Sequence, residues 1–161
     1  MRVCTRWVIA IVAGLMVTTL SGQTSDLTDI DDAFERDVLI IQTTRTGCFR
    51  FDIYLAVTGK QQRRGLMFVR HLPEFAGMIF LYRKAGIRSM WMKNTLIPLD
   101  MVFARGDGSV TSIMADTEPL SLKSISSTEP VNYVLEINAG MAARIGIDRG
   151  SLLIMDLQAA Q

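Results

Sequence analysis

Cys48-Phe49-Arg50-Phe51-Asp52-Ile53-Tyr54-Leu55-Ala56-Val57 decides the fold class. Phe49, Phe51, Ile53, Leu55 and Val57 recur at every second position, while Arg50 and Asp52 point the other way. A period of two is the signature of a half-buried β-strand. The same alternation returns in Leu99, Met101 and Phe103 and in Val131, Tyr133, Leu135 and Ile137. Met78–Tyr82 (MIFLY) is apolar on both faces, which predicts a central strand. Asp37–Thr43, Ile87–Met92, Ser109–Ala115 and Leu152–Leu157 complete about eight short strands, and Gly106-Asp107-Gly108 suits a hairpin turn.

Two short helices are expected. Thr58 and Gln61 fit a capping box opening Gly59–Met67. Asn138 is placed to cap Ala139–Ile145, with Gly146 as a left-handed terminator. Each is about two turns and needs a sheet to pack on. The expected class is therefore mainly β: a compact β-sandwich or partly closed barrel of about eight short strands with two short helices.

Outward from this body, residues 1–22 read as a signal peptide. Arg2 and Arg6 precede an uncharged, mostly apolar run from Trp7 to Leu20, followed by small residues that place cleavage after Ser21 or Gly22. As a helix that run spans about 21 Å, short of the roughly 30 Å hydrocarbon core. Residues 23–36 carry five acids and one Arg and read as a flexible acidic leader, leaving a single mainly-β domain over 37–161. A periplasmic or secreted location is expected, with no membrane span after cleavage. Loss of Cys4 with the signal leaves Cys48 without an intramolecular partner, and it is read as a small buried hydrophobe.

The 161 residues hold 17 Lys+Arg against 16 Asp+Glu, a balance unlike that of a dedicated nucleic-acid binder. Two Cys and one His are too few for a zinc finger or a disulfide framework. No cofactor is implied. Beneath the near-neutral total lies a basic third. Residues 60–93 hold Lys60, Arg63, Arg64, Arg70, Arg83, Lys84, Arg88 and Lys93 against Glu74 alone, a net of +7.

Four stretches carry a resemblance. They are Gln62-Arg63-Arg64-Gly65-Leu66-Met67, Gly77-Met78-Ile79-Phe80, Met90-Trp91-Met92-Lys93-Asn94-Thr95-Leu96-Ile97-Pro98-Leu99-Asp100, and Tyr133-Val134-Leu135-Glu136-Ile137 with Ala139-Gly140 and Gly146-Ile147. In this order they resemble the domain of unknown function 192 family, an uncharacterised bacterial and archaeal group. The resemblance implies a compact, mostly β, single domain, often exported, and implies no activity.

The function expected from the residues is that of an exported soluble binding domain. Its partner would be an anionic small molecule or envelope polymer, with a glycan, phosphate or carboxylate as the recognised group. The ligand-binding residues expected are Arg64, Lys93, Asn94, Thr95 and Asp100: cations from the basic segment and hydrogen-bonding groups of a loop interrupted by Pro98. One alternative is an envelope-polymer hydrolase using Asp100 and Glu136, since two carboxyls about 5–9 Å apart suit glycosidic acid–base work. Another is a structural partner domain of an envelope complex. A third is a Met-based Cu(I) carrier using Met90, Met92 and His71, because thioethers favour that ion.

Overall fold

The computed structural model describes residues 30–155. The expected signal peptide, Cys4, residues 23–29 of the acidic leader and the last six residues lie outside the described residues. Among those described, no helix is long and apolar enough to cross a membrane.

The chain is mainly β, as its alternation predicts. Seven strands form one sheet: β1 (Glu35–Gln42), β2 (Cys48–Ala56), β3 (Ala76–Gly86), β5 (Leu99–Ala104), β6 (Val110–Met114), β8 (Val131–Asn138) and β9 (Leu152–Ile154), in the order β6-β5-β8-β3-β2-β1-β9. Two-residue strands β4 (Ser89–Met90) and β7 (Ile125–Ser126) pair separately. β2 and β3 run parallel and the remaining pairs antiparallel. The MIFLY strand β3 takes the central position expected of it.

The sheet curls into a half-barrel, and its two edges touch at one end. Val110 N donates to Ser151 O (2.8 Å), Leu153 N to Gly108 O (2.9 Å), and Ser109 bridges Leu152. Gly108 makes this closure feasible. Its φ is +83°, and a Cβ there would lie 2.2 Å from the Leu153 carbonyl oxygen.

Strand alternation sorts the apolar residues into two cores. Leu39, Ile41, Ile53, Ile79, Val102 and Ile137 fill the concave side with the apolar face of α2 (Met141–Ile145). Tyr54, Met78, Phe80, Met101, Phe103 and Val134 face the other way. That second face is covered by Leu66, Val69, Leu72 and Met92, by Ile30 of a helical turn at 30–33 and by Phe34 just after it. β5 is consequently buried at every residue, where its alternation had suggested one solvent-facing side. With Ile30 and Phe34 in the core, the ordered fold begins before residue 37. The leader expected over 23–36 does not extend through 30–36.

Other expectations shift locally. α1 (Gly59–Arg64) has the expected capping box from Thr58 and Gln61 but stops at Gly65, whose φ is +48°. α2 ends at left-handed Gly146 as expected, yet Gly140 rather than Asn138 is its N-cap residue. The Asn138 amide instead donates to the carbonyls of Leu72 (3.1 Å) and Pro73 (3.0 Å). The strand expected over Ile87–Met92 shrinks to β4, because the chain leaves the main sheet there: Arg88 N turns to Ser127 Oγ and Met92 N to Ser121 O. Cys48 is exposed and its sulfur is not free, which corrects the reading of a buried, unpartnered thiol.

Candidate functional site

Parallel pairing of β2 with β3 requires a crossover, and α1 lies on it. Thr58 Oγ1 accepts from Gln61 N (3.3 Å), and Gln61 Oε1 accepts from Thr58 N (2.9 Å), which fixes where the helix starts. Gln62 Nε2 donates to Leu81 O (2.9 Å), tying the helix to β3. The last turn of α1 therefore holds Arg63 and Arg64 above the second face of the sheet.

A cavity of about 290 Å³ opens between this helix end and the segment following β4. Arg63, Arg64, Gly65 and Met67 line one side, and Met90, Trp91, Lys93 and Thr95 the other. Phe80, Tyr82 and Glu136, from the adjacent strands β3 and β8, complete it. Lys93 Nζ lies 5.3 Å over the Trp91 ring, and the Arg88 guanidinium 3.9 Å over the Tyr82 ring. Such stacking holds a cation near an apolar wall without neutralising it.

Glu136 is the most buried polar group of the cavity. Its register partners Met78 and Met101 flank it on the same face, and both are fully buried. Burial in these surroundings pushes its carboxyl up to about 8, so at neutral pH it is mostly protonated and carries an O–H donor in place of a charge. The Tyr82 hydroxyl is raised first by burial; Arg88 opposes that shift and Glu136 adds to it.

Of the residues expected from sequence to bind ligand, Arg64, Lys93 and Thr95 meet at this cavity and Asn94 and Asp100 do not line it. Asn94 is a turn residue at φ +56°, and its amide points to the Met67 sulfur at 3.8 Å. Asp100 is fully buried on the concave side. Its Oδ1 accepts from Asp116 N (2.9 Å) and Gly140 N (3.1 Å), and its Oδ2 from Ala142 N (2.8 Å). The carboxylate thus satisfies the first amides of α2 from the neighbouring strand β5, the work expected of Asn138.

The expected catalytic pair is separated by the sheet. Asp100 pairs with Ile137 and Glu136 with Met101, so the two carboxyls point to opposite faces. No shared substrate can lie between them, which excludes a hydrolase that uses this pair. The thioether set is divided too. Met90 lines the cavity, Met92 is buried with its sulfur 3.2 Å from Thr117 Oγ1, and His71 lines a different depression beside Glu74 and Arg144. Among the described residues no three His, Cys, Asp or Glu side chains group as metal ligands.

Sequence does not mark Arg63 and Trp91 as binding residues, although both lie inside the family-like stretches. Their nearness to Arg64 and Lys93 is the signal it offers. Sequence marks Glu136 for a different chemistry, and nothing in it reports which face of β8 meets a hollow.

Comparison with known proteins bears on the whole described body. A crystal structure from Sinorhizobium meliloti 1021, described as a "putative transcription regulator", superposes with TM-score 0.74 at 36% identity, covering 76% of this chain and 95% of that one. A protein of unknown function from Novosphingobium aromaticivorans DSM 12444 superposes with TM-score 0.74 at 35% identity, covering 77% and 88%. No curated protein matches. The family model DUF192, "Uncharacterized ACR, COG1430", matches residues 40–155, which is the half-barrel from the end of β1 through β9 together with both walls of the cavity, and the chain belongs to that family.

Proposed function

We propose that the chain is an exported binding domain that receives an anionic group, a phosphate, carboxylate or acidic glycan, in the cavity between α1 and the Trp91–Thr95 segment. One observation carries this reading: Arg63, Arg64 and Lys93 converge on a hollow whose most buried polar group is a neutral acid. Cations attract the anion, and guanidinium groups offer paired donors that match its oxygens. A protonated Glu136 adds a donor inside. Ionised, the same group would repel the ligand, so its burial favours anion uptake at neutral pH. The volume of about 290 Å³ lies near the lower end of small-molecule sites, roughly 300–1,000 Å³, and suits a small head group rather than a large cofactor.

In this reading Asp100 and α2 maintain the scaffold. Export follows from the basic, apolar and small-residue order of residues 1–22, which gives the binding domain an extracytoplasmic setting.

The test is a heteronuclear NMR titration of the protein with inorganic phosphate, acetate and a sulfated glycan. At least one should shift amides of 62–67 and 90–95. Replacing exposed Arg63 and Lys93 together by Ala should weaken that binding about tenfold or more with little change in melting temperature. Absence of shifts with all three, or equal affinity in the double variant, would reject the proposal.

A further inference from the structure

Three loops meet at the mouth of the cavity, and main-chain hydrogen bonds hold them together. Phe68 N donates to Asn94 O (2.8 Å), Leu120 N to Thr95 O (3.0 Å) and Met92 N to Ser121 O (3.0 Å). Each loop presents a large apolar side chain to solvent: Phe68 is 60% exposed, Trp91 51%, Leu120 58% and Leu122 70%. Single exposed apolar residues are ordinary, but four on mutually bonded loops beside one hollow form a patch.

Two of the four stand where the backbone resists them. Phe68 has φ +67° and Leu120 +62°, with Asn94 between them at +56°. A side chain bearing a Cβ avoids this left-handed region, and residues held there collect at binding sites. The patch is also continuous with the cationic hollow. Trp91 belongs to both, with the Lys93 ammonium of the cavity over its ring, and Phe68 follows Met67 of the cavity wall.

The two surfaces together constrain the ligand. A free phosphate or a hydrophilic glycan would engage the cations and leave the apolar tips in water. A neutral lipid would cover the tips and leave the cations unused. A molecule joining an anionic head to an apolar tail satisfies both. We infer that the site takes a single amphiphilic anion, its head in the cavity against Arg63 and Lys93 and its tail across Trp91, Phe68, Leu120 and Leu122. A single molecule fits better than a bilayer, because the acid in the hollow is buried and the head must enter to reach it. The inference rests on the anion-binding reading and adds the tail.

The experiment is calorimetric titration of the full chain with octyl phosphate below its micellar concentration, inorganic phosphate, octyl glucoside and phosphatidylglycerol vesicles. Octyl phosphate should bind at least about tenfold more tightly than inorganic phosphate, the gain expected from burying two or so methylenes. Phe68→Asn with Leu120→Asn keeps residues that tolerate positive φ. That double variant should lose the gain and retain the affinity for inorganic phosphate. Equal affinity for the two phosphates, dependent on Arg63 and Lys93, overturns the tail and leaves the anion site standing. No binding of either phosphate overturns the inference, and the anion site then stands or falls on the acetate and glycan titrations. Octyl glucoside binding as tightly as octyl phosphate, or vesicles binding where the monomer does not, overturns the inference in favour of apolar contact alone or of a membrane surface.

Discussion

Asp100 and Glu136 occupy neighbouring rungs of the β5–β8 ladder and point to opposite sides of it. Asp100 lies opposite Ile137 on the concave side, and Glu136 opposite Met101 on the other. Both are buried, and the sheet gives them different chemistry. Asp100 accepts three backbone N–H groups, whereas Glu136 sits among apolar side chains and keeps its proton. A pair that resembles catalytic acids in sequence is thus a structural cap and a cavity group.

Replacing Asp100 tests its role as a cap. Asp100→Asn turns one acceptor oxygen into an NH₂ group facing backbone donors, so buried amides of Gly140, Ala142 or Asp116 lose a partner. The expected loss is about 2–4 kcal/mol, read by urea denaturation. A loss below about 1 kcal/mol would mean that α2 does not depend on the carboxylate.

Glu136 makes stability depend on pH. Its folded value of about 8 lies above its ordinary 4.5, so the folded chain holds a proton that the unfolded chain releases. The contribution is fully present below about 4.5 and is lost as pH rises through about 8. At about 1.4 kcal/mol per pH unit, up to about 5 kcal/mol is at stake across that window. Glu136→Gln should abolish the slope and be more stable than the parent at pH 9. Parallel stability curves for the two proteins over pH 5–9 would contradict a buried neutral acid.

Half of this was legible beforehand, for identifiable reasons. Alternation in Phe49–Val57 and Leu99–Phe103 reports backbone geometry directly, so strands, the hairpin at 106–108 and the Thr58 capping box could be read locally. Burial of the opposite faces could not. Val102 and Ala104 look like outward positions until β9 and α2 close over them. The basic segment announced its charge but not its dispersal: Arg63, Arg64 and Lys93 reach one cavity only because α1 crosses between β2 and β3 and the 91–95 turn folds back beside it. Asn138 and Asp100 compete for the same helix end, and only tertiary placement decides between them.

Closure of the half-barrel depends on Gly108. With φ +83° and 2.2 Å between a built Cβ and the Leu153 carbonyl oxygen, alanine has neither the conformation nor the room. Gly108→Ala should cost about 2–4 kcal/mol and accelerate amide exchange at Leu153, whose N–H donates to Gly108 O. Unchanged exchange at Leu153 would show that the β6–β9 contact survives without the glycine.

The six residues of α1 are too few to be helical alone, so the capping box should govern how firmly Arg63 and Arg64 are held over the cavity. Thr58 and Gln61 bond each other reciprocally, and Gln61 Nε2 also reaches Ala33 O (3.2 Å) in the 30–33 turn. Thr58→Ala removes the hydroxyl acceptor and should cost about 1 kcal/mol. Its effect should be local: faster exchange at the Gln61 amide, with the amides of β3 and β8 protected as before. Since the helix end carries two of the three cations that line the cavity among the described residues, a frayed α1 should also weaken inorganic phosphate binding in the same variant. Full phosphate affinity together with a frayed helix would mean that Lys93 alone holds the anion and that the α1 guanidinium groups contribute nothing to it.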